Sequence, residues 1–119
     1  MGRILVNDRE LLDAVLEHLP LGIMIWDPEG HLYRVNTSFT ELTGYLLEDV
    51  ATMEDWARKA YPDEAYRQKM QKDWDLVSPT EKTTRQFTVR CKDGKEKNIA
   101  FCASFLPDQT AIVSLKEAK

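Results

Sequence analysis

The stretch from residue 86 to residue 106 constrains the fold more than any other part of the sequence. Two runs of alternating apolar and polar residues are separated there by Lys92-Asp93-Gly94, which is the pattern of a β-hairpin. A two-residue loop at Asp93-Gly94 would set Phe87 opposite Ala100. A three-residue loop with Gly94 in the left-handed conformation sets Phe87 opposite Ile99. We favour the second register because it keeps the large apolar residues on one face.

This register also bears on the two cysteines of the chain. Cys91 and Cys102 fall on opposite faces of the sheet, so we expect free thiols, which are typical of a reducing compartment. A cytoplasmic location follows as an expectation, although a longer parent protein could be anchored in a membrane. The sequence has no run of 18 apolar residues, so direct membrane insertion is not expected.

The order of the remaining patterns predicts the architecture. A helix between Asn7 and Pro20 precedes two short strands joined by the turn Asp27-Pro28-Glu29-Gly30, and three helices then lead to three strands. The expected fold class is α+β, with a five-stranded antiparallel sheet, helices on one face and an amphipathic helix at the N-terminus. We expect residues 1–19 to form that helix and residues 20–117 to form the sheet domain.

The N-terminal helix carries an apolar stripe that needs a partner. Several strands are apolar on both faces, so the second face of the sheet also needs a cover. Two alternatives remain open: the helix folds back on its own sheet, or it packs against the same helix of a second copy. We favour the homodimer. The stripe consists of Leu11, Leu12, Val15, Leu16 and Leu19.

Charge and residue types exclude several function classes. The chain has 119 residues, enough for a single domain, and its 16 Lys and Arg residues against 20 Asp and Glu residues give a net charge of −4. We therefore expect no nucleic-acid partner. The acidic residues and the two histidines have no metal-ligand spacing, and no serine lies in a nucleophile motif. We expect neither a metal site nor a catalytic residue, and an enzyme is the least favoured hypothesis.

An apolar set on the middle helices and the last strands is the candidate binding site. It can line a ligand pocket, or it can be ordinary core packing, and the second alternative is the more common one for aromatic residues. Arg85 extends the same face at its edge, where it can bind a carboxylate bidentately or pair with a surface acid. The set consists of Trp56, Tyr61, Tyr66, Met70, Trp74, Phe87, Ile99 and Phe101.

Several short motifs, in order and with matching spacing, resemble the PAS family of sensor domains. The resemblance covers roughly residues 10 to 117, and no single motif is specific by itself. The motifs are Leu19-Pro20-Leu21-Gly22-Ile23, Asp27-Pro28-Glu29-Gly30, Asn36-Thr37-Ser38-Phe39, Leu42-Thr43-Gly44-Tyr45, Glu48-Asp49-Val50, the segment from Trp56 to Trp74, and Lys92-Asp93-Gly94-Lys95.

The resemblance implies a strand order of 2-1-5-4-3 and a pocket between the sheet and the helices. It implies a sensor or dimerisation module, usually attached to a histidine kinase, a cyclic-dinucleotide enzyme or a transcription regulator. We expect the output domain, most simply that of a sensor histidine kinase in a two-component phosphorelay, to lie outside this chain. The alternative is a structural module that binds no ligand. Ser114-Leu115-Lys116 stands where the family often has Asp-Ile-Thr, which puts that route of signal relay in doubt.

The resemblance also raises two cofactors, and the residues favour neither. Light-sensing relatives hold flavin beside a cysteine in a Gly-x-Asn-Cys-Arg-Phe-Leu-Gln motif on a helix, whereas Cys91 and Cys102 lie on predicted strands. Haem-binding relatives use an axial histidine on a pocket helix, whereas His18 ends the first helix and His31 follows a turn. We therefore expect no flavin or haem, and leave an unknown small ligand as a possibility.

Overall fold

The described residues form four α-helices, a short 3₁₀ helix and five strands. The computed structural model describes residues 7–75 and 83–118. The elements follow the order expected from the sequence. They are α1 (Asp8–His18), β1 (Gly22–Trp26), β2 (Leu32–Val35), α2 (Thr37–Thr43), the 3₁₀ helix (Leu47–Val50), α3 (Met53–Ala60), α4 (Glu64–Asp75), β3 (Thr83–Arg90), β4 (Glu96–Phe105) and β5 (Ala111–Glu117).

The strands form one antiparallel sheet in the order β2-β1-β5-β4-β3, which confirms the expected fold class and strand order. The register of the β3–β4 hairpin is also confirmed. Phe87 lies opposite Ile99, the Cys91 N–H donates to the Lys95 carbonyl at 2.8 Å, and Gly94 has φ +88°. Only a residue tolerant of the left-handed region closes this three-residue loop without strain.

The alternation of the strands sorts their side chains onto two faces. The inner face packs against α2, α3 and α4 and forms the core, whereas Ile25, Cys102 and Ile112 on the outer face are half-buried. Cys91 and Cys102 are both free thiols, as expected. The largest fully buried side chains are Tyr61, Phe39, Met24, Ile99, Leu115, Val50 and Val89, together with Thr43.

Side-chain caps start three of the helices. Asn7, Asn36 and Thr52 each accept a hydrogen bond from a backbone N–H in the first turn of α1, α2 and α3. Pro62 suits the first turn of a helix, which predicts a start there, but α4 begins two residues later at Glu64. The Arg67 N–H donates to the Asp63 carbonyl at 2.9 Å, so Asp63 flanks α4 and Pro62 precedes it. The 3₁₀ helix has no counterpart in the sequence prediction.

One buried amide joins α1 to the sheet and to α2. Asn36 is 2% exposed. Its Nδ2 donates to the carbonyls of Leu16 (2.8 Å) and Leu21 (2.9 Å). Its Oδ1 accepts from the N–H groups of Ile23 (2.8 Å) and Phe39 (3.0 Å). Every hydrogen-bonding position of this side chain is therefore used.

The rest of α1 is held mainly by polar contacts. Arg34 pairs with Asp13, and the Thr37 hydroxyl donates to Glu17. Within the apolar stripe Leu16 is buried and Leu19 is half-buried. Leu11, Leu12 and Val15 remain 39%, 50% and 48% exposed. The rest of the domain therefore covers only part of the apolar stripe of this helix.

Candidate functional site

A cavity of about 270 Å³ lies between the inner face of the sheet and helices α3 and α4. It is one of several concavities in the described part of the chain, and its walls are mostly apolar carbon. The described residues that line it are Met24, Trp26, Met53, Trp56, Ala57, Tyr61, Met70, Gln71, Phe101, Ala103, Phe105, Ala111 and Val113.

The floor of the cavity comes from the three central strands. Strand pairing sets Trp26 beside Ala111 and Ala103 beside Val113 on the inner face. Ala103 and Ala111, with Ala57 of α3 above them, are small residues among large neighbours. The space exists because these positions carry a methyl group where a larger side chain would fill it.

The roof and the side wall are held by contacts between aromatic rings. Trp56 is the centre, with ring centroids 5.9 Å from Phe39, 6.1 Å from Tyr45 and 5.9 Å from Tyr61. Tilted and edge-on geometry of this kind stabilises aromatic pairs beyond their buried area. Burial raises the pKa of the Tyr61 phenol far above its ordinary value, so this group is neutral at physiological pH. These walls are closely packed and uncharged.

The mouth of the cavity lies between the start of α3 and α4. Met53 lines the cavity and is nevertheless 45% exposed, and Gln71 is exposed as well. The Met53 N–H donates to the Gly30 carbonyl at 2.8 Å, which ties this rim to the β1–β2 turn. Gly30 has φ +86°, so the turn needs a glycine there. A flexible methionine at the rim suits ligands of varied shape.

The chemistry of the walls favours binding over catalysis. Apart from the neutral Tyr61 phenol, the described lining residues carry no ionisable side chain. General acid–base or nucleophilic catalysis needs such a group within reach of the reacting atoms. The arrangement therefore suits an apolar small molecule.

The described members of the apolar set predicted from the sequence divide into three groups. Trp56, Tyr61, Met70 and Phe101 line the cavity. Phe87 and Ile99 are core residues beside it, at 5% and 0% exposure, and do not belong to its described lining. Tyr66 lies outside the cavity, where its hydroxyl accepts from the Thr88 N–H at 2.8 Å. The side chain of Trp74 lies outside the described residues.

Sequence reasoning missed most of the floor and all of the mouth. The alternation of β1, β4 and β5 was visible in the sequence, but which alanine meets which large residue depends on pairings between distant strands. Composition carries no signal for Ala57 or Gln71. The missed residues are Met24, Trp26, Met53, Ala57, Gln71, Ala103, Phe105, Ala111 and Val113.

Arg85 occupies the inner face one strand beyond the cavity. It is half-buried and pairs across the sheet with Phe101, but is not among the described lining residues. Its Nε atom is buried and has no hydrogen-bond partner in the described part of the chain. The acids that pair with other basic side chains, Asp49 with Lys92 for example, do not reach it.

The residues present do not fit a flavin that reacts with a thiol or a haem held by histidine. The Cys91 thiol donates to the Leu42 carbonyl at 3.7 Å, and burial raises its pKa; Cys102 faces the other side of the sheet. His18 contacts the Ala14 carbonyl, and His31 contacts Asp27. None of the four belongs to the described lining.

Residues 7–75 and 83–118 contain no cluster of three metal-ligating side chains, and none of their helices has the length and apolar character needed to cross a membrane.

Solved structures share the fold over nearly the whole chain. A domain of a sensory box sensor histidine kinase/response regulator from Geobacter sulfurreducens superposes with a TM-score of 0.71 at 22% identity, covering 91% of this chain and 92% of that one. The PAS domain of an HTR-like protein from Haloarcula marismortui gives 0.70 at 16% identity, with 92% and 91% covered. A Rhodobacter sphaeroides LOV protein gives 0.72 at 16% identity, with 93% and 67% covered.

The sequence itself carries the family signature. No curated protein matches it significantly. The profile of the PAS fold, in contrast, matches residues 16–114, from the last turn of α1 to near the end of β5. This range includes every strand that forms the cavity floor. The match spans most of the chain and agrees with the strand order, and the chain therefore belongs to the PAS fold family.

Proposed function

We propose that this domain is the sensory input module of a larger signalling protein, and that a small apolar molecule binds in the cavity. The observation that carries the proposal is the cavity itself, a space with closely packed aromatic walls and an open rim at Met53. Similar folds support it: one neighbour is a PAS domain from a two-component sensor histidine kinase. The output domain would follow or precede residues 20–117 in the parent protein, and the free thiols favour a cytoplasmic location.

In this proposal the signal leaves the cavity through two strands of its floor, β5 and β1. A ligand would fill the space beside Ala103 and Val113, and so favour one packing of α3 and α4 on the sheet over another. β5 carries Val113 and runs on to Glu117, while β1 carries Met24 and is tied to α1 through Asn36. Both strands therefore connect the cavity to an end of the described chain.

We further propose that α1 pairs with α1 of a second copy. Leu11, Leu12 and Val15 lie on adjacent turns and stay exposed after the helix has docked. A surface that is its own complement suits a two-fold dimer. The alternative role, a module that assembles without a ligand, depends on this surface alone.

Light scattering tests the dimer. Leu12→Glu combined with Val15→Glu places two charges in the apolar stripe and should convert a dimer to a monomer. Leu46→Glu is the matched control, since Leu46 is 45% exposed and lies outside α1. A monomeric wild type at high concentration, or a double variant that stays dimeric, contradicts the pairing.

Native mass spectrometry tests the ligand. Protein purified from cells should carry a stoichiometric small molecule. Ala103→Leu, which fills the floor, should lose it, and Ala100→Leu on the outer face of the same strand should keep it. If wild type and both variants carry no compound, or all three carry the same one, the cavity is not the binding site and the assembly role is favoured.

A further inference from the structure

Arg85 is a basic side chain on the apolar face of the sheet, and its Nε has no partner among the described residues. Arg85 lies on the same face of β3 as Phe87 and Val89, which come after it in the strand and are both buried. Its Nε is shielded from solvent and donates no hydrogen bond to any described residue. A buried donor in this state costs free energy that an apolar residue of similar shape would not.

Three other basic side chains of the described chain form ion pairs, including exposed ones. Arg34 pairs with Asp13, Arg58 with Glu54 and Lys92 with Asp49. The chain has more acids than bases, so a carboxylate for Arg85 would not be scarce. The position therefore combines partial burial with an unused donor, which favours a partner that is not part of the described chain.

The register places Arg85 at the edge of the cavity floor. Phe101 is its direct neighbour on β4, and Ala103 is a diagonal neighbour; both line the cavity. Side chains in these two relations lie within reach of each other, above all when one is long. A group held at Arg85 and an apolar body in the cavity can therefore belong to one molecule.

We propose that the ligand of the cavity is a small apolar carboxylic acid whose carboxylate binds the Arg85 guanidinium. This rests on the proposed function and adds its ligand class. The guanidinium presents Nε–H and an Nη–H side by side, which matches the two oxygens of a carboxylate. The planar anion satisfies the buried Nε donor, and the apolar remainder contacts Trp56, Phe101 and the alanines of the floor.

The cavity limits the size of the acid. At about 270 Å³ it falls below the range of about 300–1,000 Å³ that is typical of pockets for drug-sized ligands. An aryl-alkanoic acid or a medium-chain fatty acid is of the right class, since its single charged group sits at one end. Aromatic walls favour the aryl body.

Matched acid and amide pairs test the proposal by isothermal titration calorimetry. The probes are phenylacetate, 3-phenylpropanoate and octanoate, each with its neutral primary amide. Wild type should bind at least one acid about tenfold more tightly than its amide, the advantage expected from a charge-assisted pair. Arg85→Gln should abolish this preference and leave amide binding unchanged, which shows that the variant folds with an intact cavity. Arg85→Lys should retain part of the preference.

Arg90→Gln is the control, because Arg90 is exposed on the opposite face of the same strand. It should keep the full preference for the acid. Equal binding of acid and amide by wild type, or a preference that survives in Arg85→Gln, overturns the carboxylate inference and leaves the ligand cavity standing. If no probe binds to wild type, the inference and the proposed ligand cavity both fall.

Discussion

The two ends of the inner sheet face differ in how they are filled. At one end Phe39, Val89, Ile99 and Leu115 close the space to 0–1% exposure. At the other end Ala103 and its neighbours leave a cavity of about 270 Å³. Both ends belong to the same antiparallel sheet and the same hydrophobic cluster. From this difference we expect the filled end to contribute more to stability than the open end, whose space is available to the proposed ligand.

The largest expected contrast comes from one truncation made at both ends. Val89→Ala should lower the free energy of unfolding by about 2–3 kcal/mol, because it removes two methyl groups from a fully packed site. Val113→Ala should cost only about 1 kcal/mol, because Val113 already borders empty space and makes fewer contacts on that side. Urea unfolding of both variants measures the difference. Equal losses would mean that the two ends are packed alike.

Enlarging an alanine on α3 should again cost more at the filled end than at the cavity. Ala60 is 1% exposed in the filled core, so Ala60→Leu should overpack it and cost about 1–3 kcal/mol. Ala57 lines the cavity, so Ala57→Leu should change the free energy of unfolding by less than about 1 kcal/mol. Thermal unfolding of the two variants provides the comparison. A larger loss for Ala57→Leu than for Ala60→Leu would be inconsistent with a cavity at this place.

Replacing the unpaired arginine should stabilise the protein without ligand. Arg85→Leu removes a buried donor that has no described partner, and should raise the free energy of unfolding by about 1 kcal/mol. Arg90→Leu on the exposed face should leave it within about 0.5 kcal/mol. Both values come from urea titrations at pH 7. Destabilisation by Arg85→Leu would show that the guanidinium already has a structural role.

The smallest expected effect concerns the turn that supports the rim of the cavity. The Asp27 carboxylate accepts from the N–H groups of His31 and Glu29, and its hydrogen bonds with His31 lower its pKa below the ordinary value of 3.8. A lowered pKa in the folded state gives stability that is present above pH 3.8 and is lost as the pH falls through the folded value. Asp27→Asn should therefore make the urea midpoint less dependent on pH below 4.

Glu29→Gln in the same turn is the control for this effect, since the described hydrogen bonds of the turn end on Asp27 and not on the Glu29 side chain. It should reproduce the acid dependence of wild type. An Asp27→Asn profile identical to that of wild type would show that the turn does not contribute to stability in acid.

Local sequence rules were sufficient for the presence and order of the α-helices and strands and for one hairpin, but not for the 3₁₀ helix. The loop at Lys92-Asp93-Gly94 and the caps at Asn7, Asn36 and Thr52 are decided by residues within a few positions of each other. For this reason the sheet, the face that carries its large apolar residues, and the free cysteines could be predicted. The start of α4 could not, because Pro62 suits both a first helical turn and the position before a cap.

The cavity was predictable only in part, and the reason is physical. Large aromatic residues such as Trp56 are visible in a sequence, and they do line the space. The space itself is created by Ala103 and Ala111. An alanine in a sequence does not indicate a cavity, because the cavity depends on which side chains from other strands surround it. Arg85 was visible as a charge on an apolar face, but its lack of a described partner emerges only from the folded arrangement.

The four hydrogen bonds of Asn36 have a mechanical consequence. A side chain with no spare donor or acceptor cannot follow a gradual slide of α1, because any displacement stretches its bond to Leu16 while the bonds to Leu21, Ile23 and Phe39 hold it in place. We therefore expect a small displacement of α1 to move Asn36 and the adjoining edge strand β2 with it, and a larger change of angle to break the bond to Leu16.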